Sequence, residues 1–142
     1  MDLDKELVKR VKTLKLEISD KPQPELLIRI PNTNQSIEYD VHVETKEFTS
    51  LCPLSLSQPD YATIVVDYTP RDFLVELKSY KFYLVSYRMT PVFHEMVPAK
   101  ILRDLVDLLS PKEMTVTGVF TTRGGIDTTV SAYYSQEVKR SD

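Results

Sequence analysis

The stretch Ile37-Glu38-Tyr39-Asp40-Val41-His42-Val43-Glu44 alternates apolar and polar side chains over eight residues. A period of two is typical of a strand that is buried on one face only. The pattern therefore predicts a half-buried antiparallel strand and makes a sheet the organising element of the fold. The strand runs towards the segment 47–53, EFTSLCP, which contains the only cysteine of the chain.

The remaining periodic segments predict an α+β domain around this strand. Helical spacing of apolar residues predicts helices over residues 2–13, 78–87 and 98–109, and β-branched or aromatic segments predict strands over 26–30, 61–68, 114–122 and 128–134. The central order of strand, strand, helix, helix, strand, strand favours an antiparallel four-stranded sheet with two helices on one face. Because such a sheet leaves its edges and second face uncovered, we expect the subunits to oligomerise through those edges.

Composition limits the class of protein. The chain has 142 residues, 42% hydrophobic, with a net charge of −3, which predicts one domain over 1–142 with an N-terminal helix and extension (1–34) and a core (35–134). The acidic balance argues against a nucleic-acid partner, and no apolar run is long enough to span a membrane. The N-terminal segment is charged and has no secretory signal, and a lone cysteine suits a reducing compartment, so we expect a cytoplasmic protein.

Cys52 and Asp60 are the first candidates for chemistry. A thiol acts as a covalent nucleophile when a neighbouring group manages its proton, and Asp60 follows Cys52 after a loop rich in serine and proline. From these residues alone, two structural interpretations stay open. Cys52 can be a small buried apolar residue, and Asp60 can be a turn residue before a strand.

Four separated motifs carry a resemblance to a known family. They are Glu47–Pro53 with Gln58-Pro59-Asp60, the segment Val75 to Arg88, the triplet Phe93-His94-Glu95, and the segment Phe120 to Ile126. In this order they resemble the short, single-domain NADPH-dependent 7-cyano-7-deazaguanine reductases, the nitrile reductases of queuosine biosynthesis. The resemblance implies a tunnelling fold, whose small subunits assemble into rings with active sites between subunits. It also implies a homo-oligomer, a decamer of two pentamers.

The resemblance implies a role for each matching residue. Cys52 would add to the nitrile and form a thioimide, and Asp60 would donate the proton. The substrate, 7-cyano-7-deazaguanine, would be bound by Val75, Glu76, Leu77, His94 and Glu95, and the cofactor, NADPH, by Leu77, Lys78, Lys81, Arg123 and Gly124. No metal is implied.

Several of these residues also have an ordinary structural interpretation. Glu76 can be a charge at a helix start, where the helix dipole favours acids, and His94 can bond to backbone. Lys78 and Lys81 can form a solvated helix face. No G-x-G-x-x-G is present, so the NADPH site implied by the resemblance is not of the Rossmann type.

The chain departs from the family pattern at three places. Seven residues separate Cys52 from Asp60, one more than the pattern leads us to expect, so the extra residue must bulge outward if the two side chains are to meet. Ser86-Tyr87-Arg88-Met89 replaces serine-phenylalanine-arginine-asparagine. Val97 stands where many relatives have a second cysteine, so a protective disulfide with Cys52 is not available.

Two other functions stay open at this point. One is a related archaeal amidinotransferase, which forms archaeosine on tRNA with ammonia and without NADPH. That group lacks the Glu-x-Lys-x-x-Lys segment, which this chain has as Glu76, Lys78 and Lys81. The other is a non-catalytic tunnelling-fold oligomer that binds a purine through Glu95.

Overall fold

The computed structural model describes residues 4–136, which fold into three helices and six strands. Along the chain these are α1 (Lys5–Lys12), β1 (Arg29–Pro31), β2 (Val41–Cys52), β3 (Ser55–Thr69), β4 (Phe73–Val75), α2 (Leu77–Val85), α3 (Met96–Leu109), β5 (Glu113–Arg123) and β6 (Ile126–Ser135). A single turn of 3₁₀ helix, Pro24–Leu26, precedes β1. None of the helices within the described residues is long and apolar enough to cross a membrane.

Strands β2, β3, β5 and β6 form the antiparallel four-stranded sheet that the sequence predicts. They lie in that order across the sheet. Two tight hairpins build it. Residues 53 and 54 turn β2 into β3, and Gly124 and Gly125 turn β5 into β6. Both glycines have positive φ, +57° and +75°, and two positive φ angles in a two-residue hairpin are the geometry for which glycine is favoured.

Helices α2 and α3 cover one face of this sheet. Alternate residues of β3 and β5 point towards them because side chains in a strand alternate between faces. Ile64, Val116 and, on α3, Ile101 have no exposed surface, so they mark the centre of the core. Burial of each such side chain contributes about 1.5–3 kcal/mol to folding.

A buried chain of hydroxyl groups joins the two helices. The Tyr83 hydroxyl donates to the Asp104 carboxylate at 2.6 Å and lies 2.8 Å from the Tyr87 hydroxyl. Burial raises the pKa of Tyr83 well above its ordinary value, so this side chain is a neutral donor. Tyr87, one of the departures from the family pattern, also packs its ring against Phe48 of β2. The contact fixes α2 over the strand that leads to Cys52.

The structure corrects the start of the strand that the alternation over residues 37–44 predicts. Residues 37–40 are not in a strand, and β2 begins at Val41, opposite Tyr68. The partner strand ends one residue later at Thr69, whose hydroxyl donates to the Asp40 carboxylate. Alternation of residue types therefore continued beyond the point where a partner strand was present.

Other boundaries also differ from the prediction. Strand β3 begins at Ser55, so the predicted loop after Cys52 is a hairpin. Helix α3 begins at Met96, which places Pro98 in its first turn, where a missing amide hydrogen costs nothing. The strand predicted over 26–30 forms as β1, Arg29–Pro31. It pairs with β4, which the sequence did not predict, in a second, two-stranded sheet.

The predicted N-terminal helix forms over Lys5–Lys12, with the Asp4 carboxylate accepting from the Glu6 amide. None of the residues of this helix is buried. Residues 2 and 3 of the predicted helix lie outside the described part of the chain.

Candidate active site

The hairpin between β2 and β3 presents Cys52 at the end of its strand. Cys52 pairs with Ser55, whereas the preceding residue, Leu51, pairs with Pro59. The register therefore jumps, and residues 56–58 are looped out of the ladder. A bulge of this kind accommodates extra residues without displacing the strand beyond it. It lets Asp60 return to the ladder opposite Ser50 despite the longer spacing from Cys52.

Cys52 and Asp60 line one pocket of about 210 Å³. The triplet Phe93-His94-Glu95, which leads into α3, forms its second wall, and the end of β5 closes it. The full lining is Cys52, Pro53, Asp60, Val92, Phe93, His94, Glu95 and Arg123. Residues from three of the four predicted motifs thus meet at one place.

Asp60 lies at the base of this pocket with only 4% of its side chain exposed. One carboxylate oxygen contacts Arg123 Nη1, and the other lies 3.3 Å from His94 Nε2. A buried carboxylate is costly unless it is paired and hydrogen-bonded. The two partners provide this compensation, so Asp60 is part of a charge cluster and not a turn residue.

Two contacts hold the ring of His94, one to Phe120 and one to Asp60. Its imidazole stacks on Phe120 with ring centroids 4.0 Å apart and planes within 7° of parallel. Stacking fixes the plane of the ring, and Nε2 therefore stays directed towards Asp60. The alternative interpretation, a histidine bonded to backbone, is not what the structure shows.

Glu95 lies beside His94 at the rim of the pocket, where it is exposed. It occupies the N-cap position of α3, but its side chain makes no capping hydrogen bond. An ionised carboxylate that is not used by the helix can accept two hydrogen bonds from a ligand. The geometry is thus compatible with the predicted substrate contact.

The other predicted site residues lie in a second cluster around the start of α2. Val75 is buried and ends β4, whereas Leu77 is 57% exposed. The Glu76 carboxylate caps α2 by accepting from the amides of Lys78 and Ser79, each at 2.7 Å. This is the helix-start role that the sequence left open for Glu76.

Leu77 and Lys81 line a groove of about 660 Å³ between α2 and the edge strand β2. Arg88, in the turn that follows α2, lines the same groove. Tyr80 also lines it, and the Tyr80 hydroxyl is buried without a hydrogen-bond partner among the described residues. The charged side chains that line the groove are of both signs, so the groove offers donors and acceptors to a polar ligand; they are Glu44, Lys46, Glu47, Lys81 and Arg88.

Within one subunit the two clusters share no lining residue. The groove runs beside residues 43–49 of β2, whereas Cys52 lies at the end of that strand. The structure thus brings together Cys52, Asp60, His94, Glu95 and Arg123 but not the predicted residues of α2. Gly124 follows Arg123 in the hairpin turn, where positive φ alone explains a glycine.

Sequence reasoning missed three features of these sites. It did not predict that Arg123 contacts Asp60, since that pairing joins residues 63 positions apart. It also gave no role to Phe120 as the platform for His94, or to Tyr80 and Arg88 in the groove. Phe120 and Arg88 stand at the ends of the family-like segments, which was the available signal.

Comparison with known proteins identifies the family. The family model for QueF-like proteins matches residues 59–139, more than half of the chain. The NADPH-dependent 7-cyano-7-deazaguanine reductase of Thermomicrobium roseum is 47% identical over 110 residues, covering 78% of this chain and 85% of the relative. The enzyme of the same name from Helicobacter pylori is 50% identical over 102 residues, covering 72% and 68% respectively.

A solved structure supports the fold. The crystal structure of the apo form of an archaeosine synthase, QueF-Like, matches with a TM-score of 0.63 and 25% sequence identity, covering 70% of this chain and 96% of that one. The family resemblance predicted from the four motifs is thereby confirmed. The chain belongs to the QueF-like family, with the NADPH-dependent 7-cyano-7-deazaguanine reductases among its relatives.

Proposed function

We propose that this protein reduces the nitrile of 7-cyano-7-deazaguanine to an aminomethyl group with NADPH, in the pathway to queuosine in tRNA. The observation that carries the proposal is the pocket in which Cys52 lies with a buried, doubly paired Asp60. The two reductases compared above are 47% and 50% identical to this chain over 110 and 102 residues. Both are from bacteria, and a single thiol suits a reducing compartment, which supports a cytoplasmic location.

The first step uses Cys52 as the nucleophile. Its sulfur adds to the nitrile carbon, a carbon–sulfur bond forms, and the triple bond becomes a double bond. The thiol proton passes to the Asp60 carboxylate and from there to the nitrile nitrogen, so that atoms and charge balance in the thioimide. A thioimide accepts hydride more readily than a nitrile does, which is why a covalent step helps.

Glu95 and His94 are the proposed substrate contacts on this side of the site. Glu95 offers a free carboxylate to the neighbouring N–H groups of the deazaguanine edge. His94 is rigid against Phe120 and lies next to Asp60, so it both orients the base and keeps the carboxylate in place.

The second cluster completes the site from a neighbouring subunit. The Val75-Glu76-Leu77 segment lies in a different part of the subunit from Cys52. Among residues 4–136 the outer edges of β2 and β6 pair with no further strand of the main sheet, although Leu51 is bridged to Pro91. We propose that subunits join through these edges into the rings of a tunnelling fold, a decamer of two pentamers. Such joining would place the start of α2 of one subunit against the Cys52 pocket of the next.

NADPH supplies the two hydrides that reduction of a nitrile to an amine requires. Lys78 and Lys81 are the proposed contacts to its phosphates; Lys81 and Leu77 line the groove, whereas Lys78 lies on α2 outside its lining. Lys81 and Arg88 on one side of the groove suit phosphates and the groove has room for an extended ligand, whereas Glu44 and Glu47 of β2 do not suit phosphates. The resemblance also implied Arg123 and Gly124 as NADPH contacts; Arg123 lines the Cys52 pocket, and Gly124 follows it in the hairpin turn.

The test is NADPH oxidation by the purified protein with free 7-cyano-7-deazaguanine, with the Cys52→Ala variant as control. We expect two NADPH consumed per nitrile and no turnover in the variant. A Cys52→Ala variant that retained full turnover would rule out the thioimide route.

Amidinotransfer on tRNA is the second candidate, because the matching solved structure is an archaeosine synthase. Its identity of 25% is lower than that of the reductases, and this chain has the lysine-containing helix segment. A Cys52 adduct with the nitrile, together with no NADPH oxidation, would favour this candidate, and ammonia-dependent conversion of modified tRNA would establish it. Ligand binding that is unaffected by Cys52→Ala, without either activity, would indicate the non-catalytic binding protein.

A further inference from the structure

The side chain of Arg123 contacts Asp60, on the face of the sheet opposite to the one that regular alternation along β5 would give it. Phe120 faces the core beneath His94, so Arg123, three residues later, would face the opposite side of a regular strand. The register of β5 on β6 changes between them: Phe120 pairs with Thr128, but Arg123 pairs with Ile126. Two residues of β5 separate these pairs but only one residue of β6 does, so β5 carries one extra residue, a β-bulge. Bulges redirect a side chain, and this one turns Arg123 towards Asp60.

Arg123 uses one of its terminal nitrogens, Nη1, to contact the buried Asp60. This nitrogen binds one oxygen of Asp60, whose side chain is 4% exposed, whereas the Arg123 side chain is 39% exposed. His94 occupies the other carboxylate oxygen. A guanidinium held by a buried carboxylate is oriented by that carboxylate and shields its charge.

From this geometry we propose that Arg123 is a positioning residue for Asp60 and not a ligand of the NADPH phosphates. It orients the carboxylate between Cys52 and the nitrile nitrogen and offsets its negative charge beside the thiol. The inference rests on the proposed function of this site for its role in catalysis. Because the contact between Arg123 and Asp60 does not involve NADPH, we expect replacement of Arg123 to change the reactivity of Cys52 even without the cofactor.

The pH dependence of Cys52 alkylation by iodoacetamide tests the inference without substrate or cofactor. Cys52 is the only cysteine, so the labelled site is unambiguous. In Arg123→Gln the uncompensated Asp60 charge disfavours the thiolate, and we expect the midpoint of alkylation to rise by about one pH unit. Arg123→Lys keeps the charge and should stay near the wild-type midpoint. The double variant Arg123→Gln/Asp60→Asn removes both charges and should return towards it.

Arg103→Gln is the matched control, because Arg103 is an exposed arginine on α3 away from the pocket lining. A wild-type midpoint in Arg123→Gln, with the same fold by circular dichroism, would overturn the inference whether or not the protein reduces nitriles.

Kinetics separate positioning from cofactor binding in the active enzyme. We expect Arg123→Gln to slow the formation of the Cys52 adduct with 7-cyano-7-deazaguanine, without NADPH, by ~10–100-fold. The KM for NADPH should change less than twofold. An unchanged adduct rate with a KM raised tenfold or more would assign Arg123 to the cofactor instead. Failure of the wild-type protein to form any adduct would refute the proposed function, while the alkylation result would still decide the inference.

Discussion

Replacing Glu76 tests whether this residue stabilises the fold, binds substrate, or does both. In the structure its carboxylate accepts hydrogen bonds from the amides of Lys78 and Ser79 at the start of α2. Those amides belong to the first turn, where no intrahelical partner exists. Glu76→Ala removes both bonds and the favourable interaction of a negative charge with the helix dipole.

The size of the effect follows from these contacts. Loss of a side-chain N-cap costs about 0.5–2 kcal/mol, and loss of the charge at the helix start adds about 0.3–1 kcal/mol. We therefore expect the free energy of unfolding to fall by about 1–3 kcal/mol. For a domain of this size that corresponds to a fall in Tm of roughly 3–9 °C.

The assay is urea unfolding followed by circular dichroism, at one protein concentration because an oligomer is stabilised by mass action. Glu95→Ala is the matched control, since Glu95 holds the same N-cap position on α3 but makes no capping hydrogen bond. Glu95→Ala removes a charge at a helix start but no capping hydrogen bond, so we expect the free energy of unfolding to fall by only about 0.3–1 kcal/mol, less than in Glu76→Ala, and the KM for the deazaguanine to rise. An unchanged midpoint in Glu76→Ala would refute the capping role.

Three further predictions concern single side chains. Ser50→Ala removes a fully buried hydroxyl that has no hydrogen-bond partner among the described residues, so the Tm should stay the same or rise; a fall of several degrees would show that the hydroxyl is satisfied. Gly118→Ala would place a methyl group 2.9 Å from the Phe120 ring, and we expect unfolding by urea to become easier by about 1–3 kcal/mol. The hydrogen bond that His42 Nδ1 donates to the Asp67 carboxylate raises the pKa of His42, so the pair contributes stability at low pH that is lost as the pH rises through that raised pKa. Histidine NMR should show a lower titration midpoint in Asp67→Asn, and identical midpoints would contradict the contact.

The sequence alone determined the type and order of the main elements, because each depends on a local pattern. The β-branched segments became β3, β5 and β6, and the helical spacing became α2 and α3. The exception is instructive: alternation continued back to Ile37, but β2 begins at Val41 because β3 supplies no partner beyond Thr69. Alternation reports which face of a strand is buried, whereas pairing decides where the strand exists.

The motifs also determined the family, and they indicated the candidate site residues Cys52, Asp60, His94 and Glu95 in short segments of fixed order. Their proximity is a property of the fold: the hairpin returns Asp60 to the ladder, and the loop before α3 brings the histidine over it.

Only the tertiary structure decided which role each charged residue takes. Arg123 reaches Asp60 through a bulge that depends on the register of β6 and is invisible in residue types. The carboxylates of Glu76 and Glu95 stand at the starts of two helices, yet one caps its helix and the other is left free for a ligand. Backbone geometry makes that difference: Glu76 is extended, with φ −78° and ψ 129°, the conformation of a capping residue, whereas Glu95 is already helical, with φ −65° and ψ −23°.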